Sequence, residues 1–497
     1  MKTDGVPMSH FEITGGVALH GEVRSSGAKN AALPIMAAAI LASEPVRLEN
    51  VPRLADVRTQ AQVLGALGVH VTWNDTLQGI GGADIPVCPR AGGGPRALAD
   101  RNVCPTAENG ICPTMILETV DPRPVRAPEG LVRRMRASFC VLGPLLARRG
   151  RAVVPLPGGC NIGHRPVDLH LKALAALGAD LRLEHGCVVA AAPRLHGAAI
   201  DLSGPNGPTV TGTANVMSAA VLARGTTLIR GAALEPEIVD LGHFLLALGA
   251  QIDGLGTSTI RIEGVDQLGG ATHRLIPDRI EAATLLMAVA INGGAATVTG
   301  VAAKHLTGVL ENLRAAGAEI DVAGDRVSLA VRRPLRAVDV VAQPYPGFPT
   351  DLQAQWTALM SVAEGVSRVQ DRVFPGRFLH LAELNRLGAK IACHHGVATV
   401  VGVARLGGAR VTACDLRASA ALVLAGLAAD DRTTLDHIHH LDRGYQRLDH
   451  KLRQLGAKIE RVPDQPVNSA MPSPAAIPFS GASRLANGQA VRRANSR

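Results

Sequence analysis

The sequence predicts an α/β protein of six similar units, with helices inside, strands outside, and two similar domains of three units each. Two observations support this prediction. A short phrase that ends in glycine recurs six times, and the units also carry alanine-rich segments that are apolar on nearly every side. The chain of 497 residues also exceeds what one hydrophobic core usually serves, so we expect two domains.

The recurring phrase is typical of a helix end followed by a strand. Leucine and alanine lead up to the glycine, which suits the left-handed position beyond a helix C-terminus, and alternating residues follow it. The glycines are Gly68, Gly178, Gly249, Gly317, Gly388 and Gly456. The last five lie about 70 residues apart, which indicates a structural repeat. The first interval is about 40 residues longer, which indicates an insertion.

Each unit is also expected to open with a second helix. The segments 30–41 and 418–427 are rich in alanine and leucine and have almost no polar face. A helix that is apolar all round is buried rather than amphipathic. We therefore expect these helices to form the interior, with the strands around them.

The surplus of the first interval falls at about 76–115, where glycine and proline interrupt any helical or strand period. We expect an inserted surface loop there. Its cysteines, Cys88, Cys104 and Cys112, lack the spacing and the fourth ligand of a zinc site. Residues 1–8 are expected to form a loose leader, and residues 463–497, rich in proline and basic residues, a disordered tail.

Composition favours small anionic ligands. The chain has 51 Lys and Arg against 42 Asp and Glu, a net charge of +9, which suits anionic partners. Aromatic residues make up only 2%, too few to offer the stacking surface that nucleic acid uses. There is no membrane-length apolar run, no signal peptide, and no CxxC pair among the eight cysteines. We therefore expect a cytoplasmic protein with free thiols and no nucleic acid or membrane partner.

One loop sets a cysteine among glycines. Cys160 follows Gly158 and Gly159 and precedes His164 and Arg165. Nearby positive charge lowers the pKa of a thiol and makes it a nucleophile or proton donor, and the glycines allow the loop to fold over a ligand. We expect a lid; the alternative is a plain turn with a buried cysteine.

Charged and polar residues recur at the predicted start of each buried helix. Free N–H groups at helix N-termini favour anions, and Lys29, Arg136 and Arg417 would add donors for phosphate and carboxylate. We therefore expect these starts to converge on an anion site. The six segments are 25–30, 135–136, 211–215, 277–279, 348–351 and 415–417. An ordinary capping or first-turn role remains an alternative for three of the residues: Thr213, Asn215 and Asp351.

These segments contain motifs that occur together in one enzyme family. The motifs are Ser-Gly-Ala-Lys29-Asn30, Met-Arg136-Ala-Ser, Pro-Gly-Gly-Cys160, Arg165-Pro-Val-Asp168-Leu, Pro-Asp-Arg279-Ile-Glu, Phe-Pro-Thr-Asp351-Leu-Gln-Ala-Gln, Asp-Leu-Arg417-Ala-Ser and Leu-Asp-Arg443-Gly-Tyr. In this order they resemble the UDP-N-acetylglucosamine 1-carboxyvinyltransferases, the enolpyruvyl transferases of peptidoglycan synthesis. The resemblance covers roughly residues 9–75 and 116–462.

The resemblance implies an inside-out α/β barrel fold with two similar domains, each built from three units. In this family the chain crosses between the domains twice. One domain would then comprise residues 9–27 and 276–462. The other would comprise residues 28–275, with the cysteine loop and the insert.

The resemblance also implies a reaction and the residues that serve it. The enolpyruvyl group of phosphoenolpyruvate would pass to the 3′-hydroxyl of UDP-N-acetylglucosamine, with release of phosphate and with no metal or cofactor, in a monomer or weak homo-oligomer. The implied catalytic residues are the lid thiol Cys160 as general acid, Asp351 as general base, and Lys29. Those implied for phosphoenolpyruvate are Lys29, Asn30, Arg136, Arg417 and Arg443. Those implied for UDP-N-acetylglucosamine are Arg136, Arg165, Pro166, Val167, Asp168, Leu169, Val210, Thr211, Gly212, Asp351 and Val373.

Two alternatives stay open. One is the sister enzyme that acts on shikimate 3-phosphate, although that enzyme type has no such cysteine lid. The other is a non-catalytic relative that binds the nucleotide sugar without turnover, against which the presence of Cys160, Lys29 and Asp351 weighs.

Overall fold

A computed structural model of the chain describes residues 9–74, 113–158 and 166–464. Both strands and helices occur throughout these ranges. The strands are β1 (Ser9–Thr14), β2 (Leu19–Arg24), β3 (Val46–Glu49), β4 (Val69–Asn74), β5 (Thr114–Thr119), β6 (Arg151–Pro155), β7 (Asp180–Glu184), β8 (Cys187–Ala191), β9 (Ala199–Asp201), β10 (Ser203–Gly204), β11 (Gly207–Pro208), β12 (Thr226–Arg230), β13 (Gln251–Asp253), β14 (Thr259–Glu263), β15 (Ala271–Arg274), β16 (Gly294–Thr299), β17 (Glu319–Ala323), β18 (Arg326–Val331), β19 (Val340–Ala342), β20 (Val366–Asp371), β21 (Lys390–His394), β22 (Val397–Val401), β23 (Arg410–Thr412), β24 (Arg432–Asp436) and β25 (Lys458–Pro463).

The helices come in pairs along the chain, as the repeat predicts. The α-helices are α1 (Lys29–Ala38), α2 (Ala55–Ala66), α3 (Glu129–Val132), α4 (Leu142–Arg149), α5 (Asp168–Ala176), α6 (Val210–Ala220), α7 (Pro236–Ala247), α8 (Arg279–Asn292), α9 (Thr307–Ala315), α10 (Gln353–Met360), α11 (His380–Arg386), α12 (Leu416–Ala428) and α13 (Leu448–Gln454). Short 3-10 helices span Ala39–Leu41, Arg136–Val141, Ala303–His305, Thr350–Leu352 and Ile438–Arg443.

Six sheets repeat one arrangement, which confirms the predicted six units. Their strand orders are β15-β3-β5-β4, β6-β8-β7, β13-β14-β12-β9, β17-β18-β16-β2, β19-β20-β22-β21 and β23-β24-β1-β25. In each sheet the strand that follows a recurring glycine lies at one edge and forms an antiparallel pair with its neighbour. In the five four-stranded sheets a parallel strand closes the opposite edge. The short hairpin β10–β11 stands apart from these sheets.

The six recurring glycines have the predicted left-handed backbone. Their φ values run from +78° at Gly68 to +104° at Gly317. Residues that have a Cβ atom rarely adopt such positive φ values. Each glycine lies directly after the C-cap residue of its helix: α2, α5, α7, α9, α11 or α13. The local pattern therefore sets the end of one helix in each unit.

The alanine-rich helices form the interior, as predicted. Along α8 and α12 nearly every residue is buried, whichever face of the helix it occupies. The buried apolar residues fall into two clusters. One draws its residues from positions 28–275, and the other from 11–23 and 280–459. The chain up to Pro463 forms one compact unit, and the division into two domains stays a prediction.

The predicted insert at 76–115 lies outside the described residues except at its end, where its boundary was wrong. Thr114 and Met115 begin β5, a strand with neighbours on both sides, in which Met115 lies opposite Leu48 and Trp73. The strand alternation here is too short to stand out from the glycine- and proline-rich sequence before it. Pro463, predicted to open the tail, is likewise the last residue of β25. The predicted leader also lies outside the described residues.

Two further features of the described ranges bear on the sequence predictions. The cysteines at 140, 187, 393 and 414 carry free thiols, as predicted for them. None of the helices described is both long enough and apolar enough to span a membrane.

The chain passes between the two hydrophobic clusters through segments 24–28 and 275–279, which lie antiparallel to each other. Ala28 N donates to Ile276 O at 2.8 Å and Asp278 N donates to Ser26 O at 2.8 Å, with Gly27 paired to Pro277 between them. A Cβ atom at Gly27 would lie 1.8 Å from the carbonyl oxygen of Asn50. The crossing is therefore close-packed around a position that only glycine fits.

We expect Gly27→Ala to lower the free energy of unfolding by about 3 kcal/mol, because the new methyl group must displace backbone in a close-packed crossing. Chemical denaturation measures the change. Gly130→Ala in α3 is the matched control, since a Cβ there meets no atom within 4 Å. Equal free energies of unfolding for the two variants would show that the backbone at this crossing accommodates the methyl group without loss of stability, and would contradict the prediction.

Candidate active site

Four of the six predicted helix starts meet in one place. Lys29, at the start of α1, donates its backbone N–H to Asp278 Oδ2 at 3.1 Å, and its neighbour Asn30 donates Nδ2 to Asp351 Oδ2 at 3.4 Å. Arg417, at the start of α12, donates Nη2 to the same Asp351 oxygen at 2.8 Å. The structure therefore brings Lys29 and Asn30 together with Asp351 and Arg417, although these three segments lie far apart in sequence.

Local capping explains why α8 and α12 begin here. Asp278 accepts hydrogen bonds from the backbone N–H groups of Ile280 and Glu281, and Asp415 accepts them from the first turn of α12. Such caps satisfy N–H groups that the helix leaves free. Asp278 also serves α1, whose own N-cap residue offers no side chain for this purpose. The helix starts are thus held together by shared acceptors.

Asp351 does not cap its helix, so the capping alternative fails for it. Its carboxylate accepts from Arg377 Nη1 at 2.9 Å and from Arg417 Nη2 at 2.8 Å, and its side chain is 26% exposed. Burial raises the pKa of Asp351, but Arg417 and Arg377 outweigh burial and hold this pKa well below its usual value. The site therefore carries an ionised carboxylate clamped between two guanidinium groups.

A second buried carboxylate holds two more cations. Asp56, in the first turn of α2, accepts from Lys29 Nζ at 3.1 Å and from Arg443 Nε at 2.9 Å. Burial raises the pKa of Asp56, but Lys29 and Arg443 together lower it below its ordinary value. Arg443 thereby joins the predicted anion site from a segment almost four hundred residues away.

Arg417 keeps one donor free. Its side chain is 2% exposed, and its guanidinium carbon lies 5.2 Å from the centre of the Tyr445 ring. Nη2 is bonded to Asp351, whereas Nη1 is buried and has no hydrogen-bond partner among the residues that the structure describes. Burial opposes the charge, but Asp351 raises the pKa of Arg417 and keeps it cationic. A buried cationic N–H without an acceptor is costly and rare, so this donor is available to an anionic ligand.

A second group of predicted residues lies around α5 and α6. Arg136 Nη2 donates to the carbonyl of Pro166 at 2.9 Å, and its 3-10 helix packs against α1. His170 Nε2 in α5 lies 3.2 Å from Thr211 Oγ1 in α6. The structure therefore brings the segments 166–169 and 210–212 side by side. Val373 instead belongs with Asp351, because the N–H of Val373 donates to Asp371, which also accepts from Thr350.

Thr213 and Asn215, two of the polar residues at the helix starts, have structural roles. The alternative to a ligand-binding role is therefore favoured for both. Thr213 bonds the carbonyl of Thr209 and the N–H of Ala233, in the first turn of α6. Asn215 is fully buried and bonds the backbone of Phe139 and Gly143. The charge of Arg279 is likewise already paired, in this case with buried Glu237: Nε lies 2.9 Å from Oε1.

Sequence reasoning missed Arg377 and Asp56. Arg377 follows the turn Phe-Pro-Gly after β20 and is 6% exposed, and nothing in its sequence context separates it from a surface arginine. Asp56 offered a weak signal, because it shares the buried face of α2 with Val57 and Gln60. A charge on an apolar helix face needs a partner.

Two predicted residues, Cys160 and Arg165, lie outside the described residues. Their neighbours on the described side are Gly158 and Pro166, and Pro166 accepts the hydrogen bond from Arg136. The roles expected of the thiol and of Arg165 therefore stay predictions.

The profile of one family, described as EPSP synthase (3-phosphoshikimate 1-carboxyvinyltransferase), matches residues 13–84 and 115–465. The chain belongs to this family of enolpyruvyl transferases. The unmatched stretch, 85–114, falls within the predicted insert.

Within the family, two relatives carry the name that the motifs suggested. The chain is 48% identical over 459 residues to "UDP-N-acetylglucosamine 1-carboxyvinyltransferase 2" of Carboxydothermus hydrogenoformans, covering 92% of this chain and all of the relative. It is 45% identical over 460 residues to "UDP-N-acetylglucosamine 1-carboxyvinyltransferase" of Akkermansia muciniphila, covering 92% and 99%. The resemblance stated from the motifs is confirmed.

A solved structure supports the same fold. The enolpyruvyl transferase NikO from Streptomyces tendae aligns with a TM-score of 0.77 at 29% identity, covering 93% of this chain and 100% of NikO. The inside-out α/β fold of the enolpyruvyl transferases is therefore confirmed for this member, in which the described strands form six sheets of three or four strands and one short hairpin.

We expect Asp351→Asn to lower the free energy of unfolding by about 3 kcal/mol at pH 7, because Arg377 and Arg417 lose a buried counter-charge. The pKa of Asp351 is lower in the folded state than in the unfolded state, so its contribution is complete above about pH 4 and is lost as the pH falls further. The difference between wild type and variant should therefore shrink in acid.

Denaturation at several pH values measures this difference. The control is Asp180→Asn, which removes a carboxylate from an exposed pair with Arg182 and should change stability little. A deficit of Asp351→Asn that stayed constant down to pH 2 would contradict the assigned ionisation.

Proposed function

We propose that this chain transfers the enolpyruvyl group of phosphoenolpyruvate to the 3′-hydroxyl of UDP-N-acetylglucosamine and releases phosphate, the first committed step of peptidoglycan synthesis. The name and the near-complete coverage of the two curated relatives support this reaction. The observation in the structure that carries it is the cluster of Lys29, Arg417 and Arg443, with one buried guanidinium donor left open.

Phosphoenolpyruvate carries a phosphate and a carboxylate, and both need fixed cationic donors. Lys29, Arg136, Arg417 and Arg443 are proposed to bind these groups, with Asn30 beside them. Asp56 and Asp351 form ion pairs with three of these cations, Lys29, Arg417 and Arg443. The phosphate and carboxylate of the substrate would therefore replace these carboxylates as partners of the cations, and would add the negative charge that two carboxylates alone do not supply.

This exchange of ion-pair partners also prepares Asp351 to act as the general base. While Arg417 and Arg377 both face Asp351, the carboxylate has a lowered pKa and is a weak proton acceptor. A substrate anion that shares the charge of Arg417 would raise the pKa of Asp351 toward the range in which general bases work. Binding of the anionic substrate and activation of the base are thus one event in the proposed mechanism.

The reaction then follows as addition and elimination. Asp351 accepts the proton of the 3′-hydroxyl while the oxygen of that hydroxyl forms a bond to C2 of phosphoenolpyruvate. Cys160 is proposed to give a proton to C3. The adduct next loses a proton from C3 and phosphate from C2, which restores the double bond. Cationic donors stabilise the departing phosphate.

The nucleotide sugar is proposed to bind along the second group of residues. These are Arg136, Arg165, Pro166, Val167, Asp168, Leu169, Val210, Thr211 and Gly212, and Val373 is proposed to contribute from its place near Asp351. The contacts of Arg136 with Pro166 and of His170 with Thr211 support this proposal, because they join the separate segments into one wall. Asp351 stands at the end of the site where the sugar hydroxyl would meet the cations.

Release of inorganic phosphate from phosphoenolpyruvate should depend on UDP-N-acetylglucosamine. We expect turnover with this acceptor, none without an acceptor, and none with shikimate 3-phosphate in its place. Turnover with shikimate 3-phosphate alone would assign the sister reaction of the family. Tight binding of the nucleotide sugar without phosphate release would indicate a non-catalytic relative.

An epoxide phosphonate that mimics phosphoenolpyruvate should alkylate Cys160, because His164 and Arg165 follow this cysteine closely in the sequence and nearby positive charge makes a thiol a better nucleophile. Mass spectrometry should show one adduct on wild type and none on Cys160→Ser. Cys393→Ser, which removes an exposed thiol, is the control and should react like wild type. Modification of Cys160→Ser at the wild-type rate would remove this thiol from the mechanism.

A further inference from the structure

A chain of buried polar side chains lies behind Asp351 and Arg417 and takes no part in the chemistry proposed above. Thr284, Gln355 and Tyr445 are each at most 1% exposed. They lie among apolar residues of the second hydrophobic cluster. Buried polar groups are costly unless hydrogen bonds satisfy them, so three of them joined together within this core call for a physical reason.

The partners fix the direction of each hydrogen bond. Thr284 Oγ1 donates to Ile280 O at 2.8 Å, so it acts as an acceptor toward the Tyr445 hydroxyl 3.1 Å away. Tyr445 accepts in turn from Gln355 Nε2 at 2.9 Å, and the other N–H of Gln355 donates to the backbone carbonyl of Asp351 at 3.0 Å. The chain of donors therefore joins α8 to the turn that carries Asp351.

The same phenol supports Arg417. The Tyr445 ring lies under the guanidinium, with 5.2 Å from the ring centre to Cζ, a distance suited to a cation–π contact. Arg417 meets Asp351 directly on its other side, at 2.8 Å. One small network thus contacts the base candidate through its backbone and the anion-binding arginine through its side chain.

We propose that Tyr445 and Gln355 are positioning residues, which hold Asp351 and Arg417 in the relative orientation that the reaction requires. This inference rests on the proposed function of the site. Because both side chains are buried, they act through Asp351 and Arg417 rather than by touching a substrate. Removing the network should then slow the chemical step more than it weakens binding of the nucleotide sugar.

The helix that carries Gln355 also supplies a matched control. Gln353 is buried as completely as Gln355 and belongs to the same helix, α10. Its Nε2 donates within that helix to Thr357 Oγ1 at 3.4 Å. A Gln353→Leu variant therefore removes a buried amide of the same size from the same helix without removing the bond to Asp351.

Phosphate release measured against the concentration of UDP-N-acetylglucosamine tests the inference. Gln355→Leu should lower kcat about 100-fold, the loss expected when a reacting group moves by about 1 Å. Tyr445→Phe keeps the ring under Arg417 and should lower kcat about 10-fold, as expected for one lost hydrogen bond. In both variants KM for the nucleotide sugar should stay within about twofold of wild type. Gln353→Leu should keep wild-type kcat, even if its melting temperature falls.

Three outcomes would overturn the inference. One is equal kcat for Gln355→Leu and Gln353→Leu, and another is a raised KM with unchanged kcat. If Gln355→Leu does not fold, the test rests on Tyr445→Phe. A wild-type kcat in Tyr445→Phe is the third outcome that would overturn the inference. If the wild type is active and any of these results is found, this inference fails but the proposed function does not. A wild type that releases no phosphate defeats the proposed function, and this inference with it.

Discussion

The site depends on ion pairs that two carboxylates form with four cations. Asp351 holds Arg377 and Arg417, and Asp56 holds Lys29 and Arg443. Several cations packed together without these partners would repel each other and lose the solvation that water provides. The carboxylates let a protein that acts on anions keep its donors assembled when no anion is bound. They also join helix starts from distant parts of the chain.

The buried helices explain why the site can be rigid. In α8 and α12 the apolar body of the helix lies in the core, and only the first turn carries charge. Packing on all sides fixes the axis of each helix, so the polar groups at its start have little freedom. The chemistry is thus concentrated at the one end of each helix where backbone N–H groups need partners.

Much of the fold follows from local sequence, because the glycine that ends each outer helix and the apolar surface of each inner one are local signals. Lys29, Asp351 and Arg417 could be singled out because charge is unexpected at the start of a buried helix. Arg377 could not, since its role comes only from tertiary contact with Asp351. The end of the insert was placed slightly too late, because the few alternating residues of β5 follow a long irregular stretch.

The sheet of the sixth unit has a consequence for the order of folding. In it β1 lies between β24 and β25, and Ser9 stands opposite Pro463. The ribosome synthesises β1 long before β24 and β25, so this strand must wait for both neighbours until they have also emerged. The cluster drawn from 28–275 has all its members much sooner. Vectorial synthesis therefore favours early assembly of that cluster, with β1, β24 and β25 joining into one sheet last.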